Sequence, residues 1–162
     1  MTMSTAFKDQ VREAIQGKSG ALGFLKNFKN TQDDANDTGA ALATKMFADT
    51  RTLAASASEN LDLAGALVGV DGAACVFTTI HGIYVKAAAA NTNSVVVGGH
   101  ASAAFVGWFG DVTDTVAVKP GEVFSITNDA GWAVTATTAD LIKVLNSAGT
   151  TGVTYDIVIY GT

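Results

Sequence analysis

Val153-Thr154-Tyr155-Asp156-Ile157-Val158-Ile159-Tyr160 is the stretch that decides the fold class. Val153, Tyr155, Ile157 and Ile159 alternate with Thr154, Asp156, Val158 and Tyr160, giving one wholly apolar face and one mixed face. A period of two marks a strand with one face in a core. The same β-branched texture recurs in Val76-Phe77-Thr78-Thr79-Ile80, and Gly, Asn and Asp punctuate the runs. Working outward, the spacing predicts strands near 59–64, 75–86, 94–98, 104–109, 115–119, 122–127, 131–136, 141–146 and 153–160. In Lys119-Pro120-Gly121-Glu122 the proline presets φ at the first corner and the glycine accepts positive φ at the second. This type II turn is expected to join Thr115–Lys119 to Glu122–Thr127 as a hairpin. Strands this short and this many imply a mainly β domain over 59–162, an antiparallel β-sandwich or jelly roll.

Residues 1–58 read differently, as an N-terminal arm of partly helical segments and linker. Ser4 or Thr5 can cap a helix running to about Gln16, with Phe7, Val11, Ala14 and Ile15 on one face. Leu22, Phe24, Leu25 and Phe28 follow, with Lys26 and Lys29 beside them. Burying each of these large side chains is worth roughly 1.5–3 kcal/mol, so they need a partner, either the β-body or a neighbouring subunit. Asn30 to Gly39 is polar and turn-rich, a linker or exposed loop. Ala40 to Ala57 is alanine-rich and helix-capable, although the first strand can equally begin at Leu53.

Charge divides the chain in the same place. The net charge is −5. Residues 1–29 carry five basic side chains (Lys8, Arg12, Lys18, Lys26, Lys29) against two acidic ones, whereas residues 60–162 carry three against eight. An acidic body argues against nucleic acid as its partner, since phosphate neutralisation needs clustered Lys and Arg. Charged residues are only 15% of the chain, below the quarter or so typical of soluble proteins. Such a surface is best covered by self-association or incorporation into an assembly. The start has no apolar core before Lys8 and Arg12, so synthesis in the cytoplasm is expected, and no stretch has the length of a membrane helix.

Reactive chemistry is sparse. Cys75 sits in an apolar run beside Val76 and Phe77 and reads as a buried structural thiol. His81 falls inside an expected strand and His100 in a loop after Gly98-Gly99, without zinc spacing between them. Asp111, Asp114, Asp129 and Asp140 fall in expected loops. Turn capping accounts for them better than calcium binding or a glycosidase pair. Trp108 and Trp132 lie among apolar neighbours, which points to core or subunit-interface packing rather than an exposed platform. No catalytic residue, cofactor or metal is assigned.

The segments Gly107-Trp108-Phe109-Gly110-Asp111, Val116-Ala117-Val118-Lys119-Pro120-Gly121, Ala139-Asp140-Leu141-Ile142-Lys143-Val144 and Thr154-Tyr155-Asp156-Ile157-Val158-Ile159-Tyr160-Gly161 resemble, in texture and order, small β-sandwich structural proteins of tailed bacteriophages. The resemblance covers roughly residues 60–162. It implies a non-enzymatic virion protein of the capsid decoration or cement type, a homo-oligomer such as a trimer, bound to the major capsid protein of a phage head. The arm would then attach through Phe7, Val11, Leu22, Phe24, Leu25 and Phe28, with Lys8, Arg12, Lys26 and Lys29 pairing with shell carboxylates. A tail or fibre module that binds a receptor or glycan uses the same body, and solvent-facing Trp108 or Trp132 would favour it. A main coat protein and an enzyme are the more distant readings.

Overall fold

A computed structural model describes residues 43–65 and 67–162. The expected helix from Ser4 or Thr5 to about Gln16, the apolar residues Leu22, Phe24, Leu25 and Phe28, and the linker at Asn30–Gly39 lie outside the described residues. Within them the chain forms eight strands: β1 (Lys45–Leu53), β2 (Ser58–Asp62), β3 (Thr79–Ala87), β4 (Val95–Gly98), β5 (Thr115–Val118), β6 (Val123–Ala133), β7 (Leu141–Asn146) and β8 (Val153–Gly161). They build two four-stranded sheets with orders β1-β8-β3-β6 and β2-β7-β4-β5, every neighbouring pair antiparallel. The fold is mainly β, a two-sheet sandwich.

One apolar cluster fills the space between the sheets. Phe47 of β1, Ile83 and Val85 of β3, and Tyr155, Ile157 and Ile159 of β8 meet Leu61, Val95, Val97, Ile142 and Val144 of the other sheet. Tyr155, Ile157 and Ile159 have no exposed surface, as the alternation of the last strand requires.

The N-terminal boundary moves. Lys45–Leu53 lies in the stretch read as helix-capable arm, yet it is a strand paired with β8 along its whole length, from Lys45 opposite Gly161 to Leu53 opposite Val153. The sandwich therefore begins before residue 59. Phe47 and Leu53 face the core while Met46 and Ala48 face outward, a period of two that the alanine and threonine content obscured. Pairing with a distant strand overrides local helix propensity.

The turn at Lys119–Glu122 forms, but the hairpin does not. Glu122 N–H donates to the Lys119 carbonyl at 2.9 Å and Gly121 has φ of +80°. β5 and β6 nevertheless belong to different sheets, so the turn is a corner across the sandwich. Gly121 N–H bonds the Ala87 carbonyl and Ala87 N–H the Glu122 carbonyl, both at 3.1 Å, docking the corner on the end of β3. The expected strands 122–127 and 131–136 are one element, β6, interrupted by a bulge at Asn128–Gly131. Residues 104–109 are no strand. They touch the second sheet through an isolated bridge from Ala104 to Leu141 and then turn.

Candidate interaction surfaces

The β6 bulge is organised around His81. The pairing of β3 with β6 jumps from Ile80 opposite Trp132 to Gly82 opposite Thr127, leaving Asn128–Gly131 opposite His81. Gly131 has φ of +75°, and a Cβ there would meet the Thr79 methyl at 2.3 Å, so only glycine closes the bulge. Asn128 binds its own loop, accepting from Ala130 N–H at 3.0 Å and donating to the Gly131 carbonyl at 3.1 Å. His81 is buried, with Nδ1 3.2 Å from the Asn128 carbonyl. Its role here is to hold the bulge. His100 is also a local brace, its Nδ1 accepting from Ala103 N–H at 3.3 Å.

The loop carboxylates are dispersed in the same fashion. Asp114 accepts from the Gly110 and Asp111 amides at 3.0 and 2.9 Å, and Asp111 from the Thr113 amide and hydroxyl at 2.9 and 2.8 Å. Those bonds hold the Asp111 carboxyl below its ordinary range. Asp140 accepts from Thr137 N–H at 2.6 Å, where Thr137 has φ of +68°. Three of the four acids thus cap turns. Among the described residues no group of three or more His, Cys, Asp or Glu is placed to hold a metal ion. Cys75 is buried, and burial pushes its thiol up to about 11, away from thiolate chemistry.

Trp108 and Trp132, twenty-four positions apart, are brought edge to face at 5.6 Å. Phe105 packs on Trp108 at 4.9 Å, with Phe109 at 5.8 Å and Phe124 at 6.4 Å. Both indoles are half-buried and lean on the main core. Gly107 lets the Trp132 side chain approach, since a Cβ there would fall 2.6 Å from it. The ten arm residues expected at a partner interface (Phe7, Lys8, Arg12 and Val11, with Leu22, Phe24, Leu25, Lys26, Phe28 and Lys29) lie outside the described residues.

One surface was not singled out from the sequence. On the face of the first sheet turned away from the core, Met46 and Ala48 of β1 stand opposite Tyr160 and Val158 of β8, which in turn oppose Gly82 and Tyr84 of β3. Met46, Ala48, Val158 and Tyr160 are all buried, Val158 completely, and Ala43, Val70 and Tyr84 pack with them. Gly82 gives the Tyr160 ring room to lie across the sheet, since a Cβ would come 2.4 Å from it. Burial pushes both phenols up, with Asp156 adding to the effect at Tyr84 and Asp129 at Tyr160. The signal was available: Val158 and Tyr160 are the two large residues on the mixed face of the last strand.

No protein-family model and no curated protein matches the chain. A solved structure of a Bacillus endospore appendage, from work describing a family of disulfide-linked pili, aligns with a TM-score of 0.36 at 14% identity. The alignment spans 78% of this chain and 96% of that one, a likeness too slight to bear on function.

Proposed function

We propose that this chain is a non-enzymatic virion structural protein, a decoration or cement protein whose β-body self-associates and whose N-terminal segment attaches it to a phage head. The observation that carries the reading is a closed β-body that begins at Ala43 and is preceded by 42 residues, of which the first 29 carry three phenylalanines and five basic side chains against two acidic ones. The strand order β1-β8-β3-β6 over β2-β7-β4-β5 is that of a jelly roll, an architecture common in capsid and lectin domains. His81, Asp111, Asp114 and Asp140 are engaged in holding loops, which supports a scaffold role. Phe7, Val11, Lys8 and Arg12 supply apolar anchors rimmed by charge, the anatomy of a specific interface. Attachment at several points multiplies modest contacts into resistance to dissociation. The tight packing of Trp108 against Trp132 weighs against the receptor- or glycan-binding alternative, which would be favoured by a solvent-facing indole.

The test is co-sedimentation with phage heads stripped of accessory proteins. The full chain, as a discrete oligomer such as a trimer, is expected to saturate the heads. A form lacking residues 1–29 is expected to keep its far-ultraviolet β spectrum but remain in the supernatant. Equal occupancy by the shortened form would sink the arm-as-anchor reading. Retention on a glycan column without head binding would replace it with the receptor-binding one.

A further inference from the structure

The described strands leave four sheet edges, and three of them are blunted. β1 carries Lys45, Asp49 and Arg51, and Val70 N–H donates to its Met46 carbonyl at 3.1 Å. β2 is five residues long with Glu59 and Asp62, and β5 is four residues long and runs into Lys119-Pro120. Short length, charge, proline and covering loops are the devices that keep a sheet edge from pairing with another chain. β6 forms the remaining edge. It is the longest strand, at 11 residues, and its stretch Val123-Phe124-Ser125-Ile126-Thr127 has neither charge nor proline. The bulge at Asn128–Gly131 ends regular pairing beyond it. Ala87 N–H donates to the Glu122 carbonyl at 3.1 Å, which sets the alternation along β6. Phe124 and Ile126 bond β3, and the N–H and C=O groups of Val123, Ser125 and Thr127 point away from it. Among the described residues no other strand meets them. Val123 is 49% exposed, and Ser125 and Thr127 are exposed as well. Beside them Phe124, Ile126 and Val116 of β5 pack on the core yet stay half-buried.

We propose that a second copy of the chain adds its own β6 to this edge, antiparallel about a two-fold axis at Ser125, so that the two first sheets become one. The edge is complementary to itself in that register. Val123 falls opposite Thr127 of the other copy and Ser125 opposite Ser125, and these pairs exchange both backbone hydrogen bonds. On the core side Phe124 falls opposite Ile126 of the other copy, in both directions, so each half-buried side chain is covered by an apolar one. At the ends Glu122 meets Asn128, and no like charges face each other. Neighbouring registers lose this match. An axis at Phe124 sets Glu122 opposite Ile126, and an axis at Ile126 sets Phe124 opposite Asn128 and Val123 opposite Asp129. A two-fold contact requires one patch that fits itself, and this symmetric pairing is what points to a second copy rather than an unrelated strand. The low share of charged residues, 15%, fits a surface of which part is covered by another copy. The contact belongs to the protein in solution and goes beyond the phage-head reading, specifying which edge of the body associates and with what symmetry.

Light scattering on the full chain tests it. The wild type is expected at twice the 16.5 kDa chain mass. Ser125→Lys sets two ammonium groups against each other on the axis, and is expected at the single mass with an unchanged far-ultraviolet circular dichroism spectrum. Two double variants fix the register. Val123→Lys with Thr127→Lys is expected to be monomeric, and serves in place of Ser125→Lys should that variant not fold. Val123→Lys with Thr127→Glu is expected to dimerise, because each lysine then meets a glutamate of the other copy. Ser125→Cys is expected to link into a disulfide dimer on oxidation, since opposed residues in such a pair lie about 5.5 Å apart at Cα. Thr52→Cys, on the opposite edge of the same sheet, is expected not to link, and Cys75 is buried in both. A monomeric wild type overturns the proposal, and so does any oligomer whose mass survives Ser125→Lys. A Lys–Glu variant that stays monomeric overturns it as well. No heads are present in this experiment, so head binding stands or falls separately.

Discussion

Tyr155 of β8 donates its phenolic hydrogen to Glu59 Oε1 of β2 at 2.8 Å, tying the interior of one sheet to the edge of the other. Glu59 is held in turn by Arg51, whose Nε donates to Oε2 at 2.7 Å, and Arg51 also reaches Asp49 at 3.1 Å. The bond crosses the sandwich from β8 to β2, beside the Arg51–Glu59 pair that joins β1 to the same carboxylate. Tyr155→Phe keeps the ring and removes the donor. A hydrogen bond to a charged acceptor is worth about 1.5–3 kcal/mol, reduced here because water can reach Glu59, so a loss of about 1–2 kcal/mol is expected. Urea denaturation measures it, and a change below about 0.5 kcal/mol would show the bond to be incidental.

Cys75 predicts an alkaline limit to stability. Its thiol ordinarily titrates near 9 and burial raises it to about 11 in the folded protein. A raised folded value means stability is fully present below the unfolded value and is lost as pH rises through the folded one. Stability should therefore hold to about pH 8.5 and decline between 9 and 11, and Cys75→Ala should flatten that part of the curve. The phenols of buried Tyr155 and Tyr160 and half-buried Tyr84, all shifted upward, add a further decline above 10 that the variant retains. An unchanged slope in Cys75→Ala would show that the thiol contributes nothing.

Gly82 and Tyr160 form a complementary pair, a bare backbone beneath a ring. Gly82→Ala puts a methyl within 2.4 Å of the ring and should cost about 1–3 kcal/mol through overpacking. In a Tyr160→Leu background the same change should cost less, and thermal melts of the four proteins give the difference. Equal costs in both backgrounds would place the strain elsewhere.

Asn146 anchors three loops from a buried position. Its amide donates to the Ala54 and Thr151 carbonyls at 3.0 and 2.7 Å, and its oxygen accepts from Asn93 at 3.1 Å and Ala148 N–H at 3.3 Å. Asn146→Ala strips partners from buried groups, each costing about 1–3 kcal/mol, so a total loss of about 3 kcal/mol is expected. Asn146→Asp should also destabilise, because a carboxylate cannot donate to the two carbonyls. Denaturation of Asn146→Asp with a wild-type midpoint would contradict the assigned amide orientation.

Trp108 and Trp132 predict a spectroscopic signature of the body itself. Their 5.6 Å edge-to-face contact should give a near-ultraviolet circular dichroism band that disappears in Trp132→Phe without any change of oligomeric mass. A mass change would instead place the pair at the subunit interface, as their apolar neighbours in the sequence equally allow.

The sequence by itself determined what depends on short-range chemistry. The alternation from Val153 to Tyr160 fixed which side chains of β8 face the core, Pro120-Gly121 fixed a turn, and Asp111-Val112-Thr113-Asp114 spelled a self-capping loop. Only the tertiary structure decided which strands meet. Among the described strands, β4 and β5 are the one consecutive pair that bond to each other, and all other pairings join elements distant in sequence. That is why Lys119–Glu122 looked like a hairpin and is a corner, and why Lys45–Leu53 looked helix-capable and is a strand. The partner that makes it a strand lies a hundred residues or more away, at Val153–Gly161. The joining of Trp108 to Trp132 and the closed outer face over Val158 arise the same way. Residue type and local spacing carry propensity and burial preference, whereas pairing between distant strands depends on the closure of long loops and the shared core that repays it.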